Sequence, residues 1–128
     1  MYRQKTYYTN ARKQTYNGYQ YDSKFEATYA KELDLRKKAG DIKDYDRQVK
    51  LDLVVGDYLV CTYKIDFIVY HCDGTREYVE VKGYPTPQWR IKWKLFEALY
   101  SPDPNNKLTI IQQGKFKPPK PRKKKTIK

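Results

Sequence analysis

Residues 64–84, KIDFIVYHCDGTREYVEVKGY, hold two largely apolar runs joined through Asp73-Gly74, and the register in which they pair decides the fold. In a strand, successive side chains point to opposite faces. Val79 and Val81 therefore share one face, and Tyr78, Glu80 and Lys82 share the other, followed at once by Gly83. Asp73-Gly74 fits two loops. As a two-residue type I′ turn it pairs Cys72 with Thr75 and sets Asp66 opposite Val81, which throws Asp66 and Glu80 onto different faces. As the end of a three-residue loop, with Gly74 left-handed in a type I turn plus G1 bulge, it pairs His71 with Thr75. Asp66 then lies directly across from Glu80, Lys64 from Lys82 and Ile68 from Tyr78. Alternation puts Ile65, Phe67 and Val69 on one face, and in this second register they oppose Val81, Val79 and Glu77. Apolar meets apolar along most of the hairpin, as register rules require, so the three-residue loop is the expected one.

That register sets two carboxylates against each other, which destabilises a strand pair unless something positive lies between them. Lys82 is one candidate, and a hard divalent cation held by oxygen ligands is the other. A third acid points the same way. In YDSKFEATYAKELDLRKKAG, residues 21–40, the predicted helix starts at Ser23, stops at Gly40, and carries Phe25, Tyr29, Ala30 and Leu33 as its apolar stripe. Glu26 stands four and seven residues before Ala30 and Leu33, so it follows that stripe towards the sheet. It also completes an S-x-x-E capping box with Ser23, and the sequence leaves both roles open.

The rest of the chain supplies more strands and a second helix. IKDYDRQVKLDLVV and YLVCTYKIDFIVYH read as strands, TPQWRIKWKLFEALY as a helix with Thr86 as N-cap and Pro87 at its first position, and KLTIIQQ as a last short strand. The expected fold class is α/β, a mixed sheet flanked by helices in the order α-β-β-β-α-β. In the second helix, Trp89, Trp93, Phe96 and Leu99 read as core, whereas Arg90, Lys92 and Lys94 crowd a first half where the helix dipole disfavours cations. A bound phosphate relieves that cost, and Lys92, lying among the apolar positions, is the best placed of the three.

Charge bounds the partners. The 128 residues carry a net +12, and residues 114–128, GKFKPPKPRKKKTIK, hold eight positive charges and no acid. With three prolines and few apolar residues, this stretch is expected to be a disordered polybasic tail, its densest cations being Lys120, Arg122, Lys123, Lys124 and Lys125. Residues 1–21 lack acids and interleave Tyr2, Tyr7, Tyr8, Tyr16, Tyr19 and Tyr21 with Arg3, Lys5, Arg12 and Lys13. Such an arm suits nucleic acid, by stacking and charge, or packs over the domain. The expected organisation is a basic Tyr-rich arm over 1–21, a core over 22–113 and the tail over 114–128. No stretch is apolar enough to cross a bilayer and none near Met1 resembles a signal peptide, so a soluble, cytoplasmic protein with no membrane partner is expected. Cys61 and Cys72, on one extended strand, stand roughly 35 Å apart, beyond disulfide reach. His71 beside Cys72 lacks further His or Cys ligands for a zinc site.

A Glu on the first helix, Asp66 in YKIDF, and Glu80-Val81-Lys82 in VEVKGY together resemble the PD-(D/E)XK nuclease superfamily. More closely, NGYQYDSKFEATYAKELDLRKKAGDIKDYDRQVKLDL, DFIVYHCDGTREYVEVKG and KWKLFEALY are similar to a family of small phage-encoded proteins assigned to that superfamily. The likeness covers roughly residues 16–100. Ile65 stands where the superfamily's name has Pro, a variable position. The resemblance implies a restriction-endonuclease-like core and phosphodiester hydrolysis of DNA with Mg²⁺ or Mn²⁺. Asp66, Glu80 and the Val81 carbonyl are the implied metal ligands, Glu26 a further one, and Lys82 the residue that orients water and stabilises phosphoryl charge. Gln48, in DRQVKL, resembles a polar residue near the cleft of such nucleases, although an exposed strand glutamine reads the same. For so short a basic chain, a structure-selective endonuclease is expected, acting on branched DNA or a Holliday junction in phage recombination or repair. Two symmetric cuts imply a homodimer, in the host cytoplasm if the chain is phage-encoded. The competing expectation is a non-catalytic nucleic-acid-binding module using basic arms and tyrosines alone.

Overall fold

Two strands of 14 residues each carry the architecture. The computed structural model describes residues 14–16, 18–21, 24–82 and 85–112. Along the chain these form β1 (Gln14–Tyr16), β2 (Tyr19–Tyr21), α1 (Lys24–Ala39), β3 (Ile42–Val55), β4 (Tyr58–His71), β5 (Arg76–Lys82), α2 (Pro87–Tyr100) and β6 (Asn106–Gln112). The chain is α/β: β3-β4-β5-β6 make a four-stranded sheet, antiparallel except for the parallel β5–β6 pair, with two helices packed on it.

Local chemistry ends each element where it does. At the end of α1, Gly40 adopts φ +79°, its N–H donates to the Lys37 carbonyl and the Asp41 N–H donates to that of Arg36. This is the Schellman arrangement, which satisfies carbonyls that the helix leaves open. At the start of α2, the Thr86 hydroxyl accepts the Trp89 N–H at 3.1 Å, and Pro87 occupies the position where a missing N–H costs nothing.

The β4–β5 connection is the three-residue loop. The His71 N–H donates to the Thr75 carbonyl at 2.9 Å, the Gly74 N–H donates to the His71 carbonyl at 3.1 Å, and Gly74 has φ +89°. Asp73 Oδ1 accepts from both the backbone and the hydroxyl of Thr75, which fixes the turn. Phe67 then faces Val79, Ile68 faces Tyr78, Val69 faces Glu77 and Tyr70 faces Arg76. The ladder stops there. Beyond Phe67–Val79, β4 continues against β3 and β5 continues against β6, so Lys64 and Lys82 do not pair. The sheet divides at the level of Asp66 and Glu80.

Two apolar clusters are built, one with each helix. Ala27, Ala30 and Leu33 of α1 pack with Ile42, Phe67, Val69 and Val79. Trp93 and Phe96 of α2 pack with Leu53, Tyr63, Ile65, Ile68 and Tyr78, largely through edge-on aromatic contacts. Each fully buried Leu, Ile, Val or Phe contributes roughly 1.5–3 kcal/mol. This partition corrects one expectation: Phe67 and Val69 face α1, but Ile65 faces α2. The reason is local. Tyr45 of β3 packs with the α1 cluster and Val49 with the α2 cluster, and between them Gln48 has φ +48°, a left-handed conformation incompatible with regular strand alternation. Arg47 pairs with Phe67 and Val49 with Ile65, so Gln48 stands across from Asp66 and both strands exchange faces there.

The amino-terminal region also differs from a free arm. Residues 14–16 and 19–21 form a two-stranded hairpin around Gly18, φ +80°, and the Tyr16 hydroxyl donates to Asp34 Oδ2 of α1. Tyr45 donates to the other Asp34 oxygen at 2.6 Å, tying hairpin, helix and β3 to one carboxylate. For Tyr16 the packing role is the one realised. Residues 1–13 and the tail, including Lys120, Arg122, Lys123, Lys124 and Lys125, lie outside the described residues, as do Ser23 and Gly83. Among the described residues no helix is long and apolar enough to cross a membrane. Cys61 and Cys72 are free thiols, and His71 Nε2 bonds Glu77 at 2.8 Å.

Candidate metal and phosphate site

The acids that the sequence singles out meet where β4 and β5 part. Asp66, at the face switch of β4, is 9% exposed, Glu80 of β5 is 4% exposed and Glu26 in the first turn of α1 is 4% exposed. Carboxylates are seldom buried without compensation. Part of it is local: Asp66 Oδ2 accepts the Val81 N–H at 2.8 Å, a donor that the divided ladder leaves available. Glu26 comes within hydrogen-bonding reach of Asp66, and the Tyr63 hydroxyl within reach of Glu80. Glu80 Oε2 is buried without a hydrogen-bond partner among the described residues.

A cation faces this group. Lys82 Nζ lies 3.8 Å from Glu80 Oε1, a loose ion pair with both side chains mostly buried. It does not neutralise the site. Burial, and then the neighbouring Glu80 charge, push the Asp66 carboxyl up to about 7 against the lowering effects of the Val81 N–H, Lys82 and Glu26. Burial likewise raises Glu80 to about 7, although Lys82 and Tyr63 oppose the rise. At neutral pH the pocket is thus short of positive charge.

A hard divalent cation fits this shortage. The donors are carboxylate oxygens, among them Glu80 Oε2 with no hydrogen-bond partner among the described residues, the kind of ligand that Mg²⁺ and Mn²⁺ take. Among the described residues no three His, Cys, Asp or Glu side chains stand close enough to hold an ion by themselves, so backbone and water ligands have to complete any coordination. Mg²⁺ commonly keeps several waters.

The other predicted residues are dispersed. Val81 is half-buried beside Asp66, its side chain on the α1 side. Gln48 is half-buried at the position across from Asp66. Arg90 and Lys94 lie exposed on α2 and form no ion pair with the acids among the described residues. Lys92 turns to β4, where its ammonium donates to the Thr62 carbonyl at 3.3 Å. The capping partner expected for Glu26, Ser23, lies outside the described residues, whereas the Glu26 carboxyl is directed at Asp66.

Two further residues join the site, Trp89, which reads as core in the sequence, and Tyr63, which reads there only as a strand residue. The Trp89 indole N–H donates to the Tyr63 hydroxyl at 3.1 Å, and Lys82 Nζ rests over the Trp89 ring, 5.1 Å from its centre. A signal for them existed: a buried phenol and a half-buried indole each need a polar partner, and residues 86–89 follow Lys82 closely in the chain.

Residues 5–117 match a family model described as Protein of unknown function (DUF1064), and the chain belongs to that family. No curated protein matches the sequence.

Proposed function

We propose that this protein is a divalent-metal-dependent DNA endonuclease with a restriction-endonuclease-like core of the PD-(D/E)XK type. The observation that carries the reading is the convergence of Asp66, Glu80 and Glu26, buried and short of positive charge, with Lys82 beside them at the division of the sheet. A structural core gains nothing from that group. Carboxylates forced together without a counterion cost stability, and such strain is characteristic of sites built for a ligand.

Asp66, Glu80 and the Val81 carbonyl would hold Mg²⁺ or Mn²⁺, with Glu26 binding through water or completing a second set. The ion supplies Lewis-acid polarisation of a phosphoryl oxygen and lowers the pKa of nearby water. This chain's residues do the rest. Glu80 and Asp66 accept no further proton while an ion compensates them, so they stay anionic at neutral pH. The Lys82 ammonium orients the attacking water and balances charge that develops on the phosphorus oxygens. Arg90, Lys92 and Lys94, with the basic tail, contact the phosphate backbone without reading sequence. Branched DNA, including a four-way junction, is the substrate class that suits contacts to the backbone alone, and paired cuts on it require a homodimer.

The test uses supercoiled, linear and four-way-junction DNA with Mg²⁺, Mn²⁺ or EDTA. Cleavage is expected with either metal and none with EDTA. Asp66→Ala and Lys82→Ala are expected to lose about a hundredfold or more of the rate while still binding DNA. Binding without strand scission under every condition would instead identify a non-catalytic nucleic-acid-binding module.

A further inference from the structure

We propose that Trp89 is a positioning residue of this site, the shelf on which the Lys82 ammonium is held against Glu80. The inference deepens the nuclease reading and rests on it. Lysine is a flexible four-carbon stem ending in a point charge, and it loses substantial rotamer freedom when held in one place. A lysine that must act at one oxygen therefore needs a second support. Here the support is the indole face: Lys82 Nζ lies 5.1 Å from the Trp89 ring centre and 3.8 Å from Glu80 Oε1, so the ammonium has the carboxylate on one side and the π system on another.

The shelf is itself fixed from three directions. The Trp89 backbone N–H is taken by the Thr86 cap at 3.1 Å, and its ring stacks on buried Trp93 with centres 5.8 Å apart and planes 26° from parallel. Its indole N–H donates to the hydroxyl of Tyr63, and that hydroxyl neighbours Glu80. Tyr63 thereby links the shelf to the acid that Lys82 faces. Packing alone calls for no such set of polar ties around a ring that remains half-exposed.

The contact and its consequence can be measured separately in the full-length chain. Ring current from Trp89 should shift the Lys82 ε-methylene protons upfield of those of the other lysines, a resonance identified by its loss in Lys82→Met. It should return to the ordinary lysine position in Trp89→Leu and stay shifted in Trp89→Phe, which keeps an aromatic face. In Mn²⁺-supported DNA cleavage, Trp89→Leu should lower the rate at saturating substrate by about two- to thirtyfold. Mn²⁺ affinity should stay within about twofold, because no ligand has been removed, and Trp89→Phe should recover most of the rate. In a Lys82→Met background, Trp89→Leu should cause no further loss, since its effect passes through the ammonium.

An unshifted Lys82 resonance in the wild type overturns the proposal, and that measurement needs no activity. Losses from Trp89→Leu and Lys82→Met that multiply also overturn it, because the tryptophan then acts independently. Cleavage by Trp89→Leu as fast as by the wild type overturns the positioning role and leaves the nuclease reading intact. A wild type that binds no Mn²⁺ and cleaves no DNA overturns both.

Discussion

Asp66 occupies a position that a folding domain would gain by filling with something else. Its carboxyl is raised by burial and by Glu80, so the folded protein holds protons more tightly than the unfolded chain, where a carboxyl titrates near 4. The sign follows from linkage: the contribution of this group to metal-free stability is fully present below about pH 4, falls as pH rises through 4 to 7, and levels off above. Thermal melts in EDTA should show a lower Tm at pH 8 than at pH 6. Asp66→Asn should raise the metal-free stability at pH 8 by on the order of 2 kcal/mol and flatten that slope. It should also abolish any stabilisation gained from Mn²⁺. A wild-type Tm that rises from pH 6 to pH 8 in EDTA contradicts this account. At this scale the turn was informative about Asp66, Glu80 and Lys82, because its register brings the two strands that carry them side by side, although alternation in β4 breaks at Asp66 itself. The sequence was blind to Trp89 and Tyr63, whose link joins a helix to a strand 26 residues away along the chain.

The elements put those residues together through two backbone irregularities. Gly74 at φ +89° sets the β4–β5 register, with open space where a Cβ would stand. Gly74→Ala should therefore cost about 1–2 kcal/mol from backbone strain alone, readable as a lower urea midpoint with unchanged slope. Gln48 at φ +48° is the place where β3 changes faces. Gln48→Gly should match or exceed wild-type stability, and Gln48→Val should lower it by about 1–3 kcal/mol, since a β-branched residue tolerates that conformation least. A stable Gln48→Val protein would mean that the face switch is not fixed there. The turn was legible because, of the two loops that Asp-Gly fits, the three-residue one sets apolar residues opposite apolar ones along most of the hairpin. The face switch was not, because DRQVKL carries no glycine or proline to mark it and strand periodicity presumes unbroken alternation. The caps at Thr86 and Gly40 were legible for the opposite reason, being written in single residues.

Over the whole molecule, charge and the acid site divide the work. Eight of the net twelve positive charges lie in residues 114–128, outside the described sheet and helices. Deleting that stretch should weaken DNA binding and flatten its dependence on log salt by several units, up to about seven, while cleavage of short substrates at low salt persists. Loss of cleavage under those conditions would place the tail in the reaction itself. The α/β class, with a mixed sheet and two helices, was readable from periodicity and turn residues. The hairpin of β1 and β2 was not, because strands of three residues leave too short a pattern, and the tyrosines there suited stacking and packing equally. The division of the sheet escaped sequence reading too, since a ladder's end depends on what each strand's other neighbour does. It is nonetheless the level of the sheet at which the three acids lie. The most direct test of the site is titration of the 128-residue protein with Mn²⁺, followed by the electron paramagnetic resonance signal of the free ion at pH 7.5. The account predicts saturable binding that Asp66→Asn and Glu80→Gln each weaken by at least about tenfold, and binding by those variants equal to that of the wild type would contradict it.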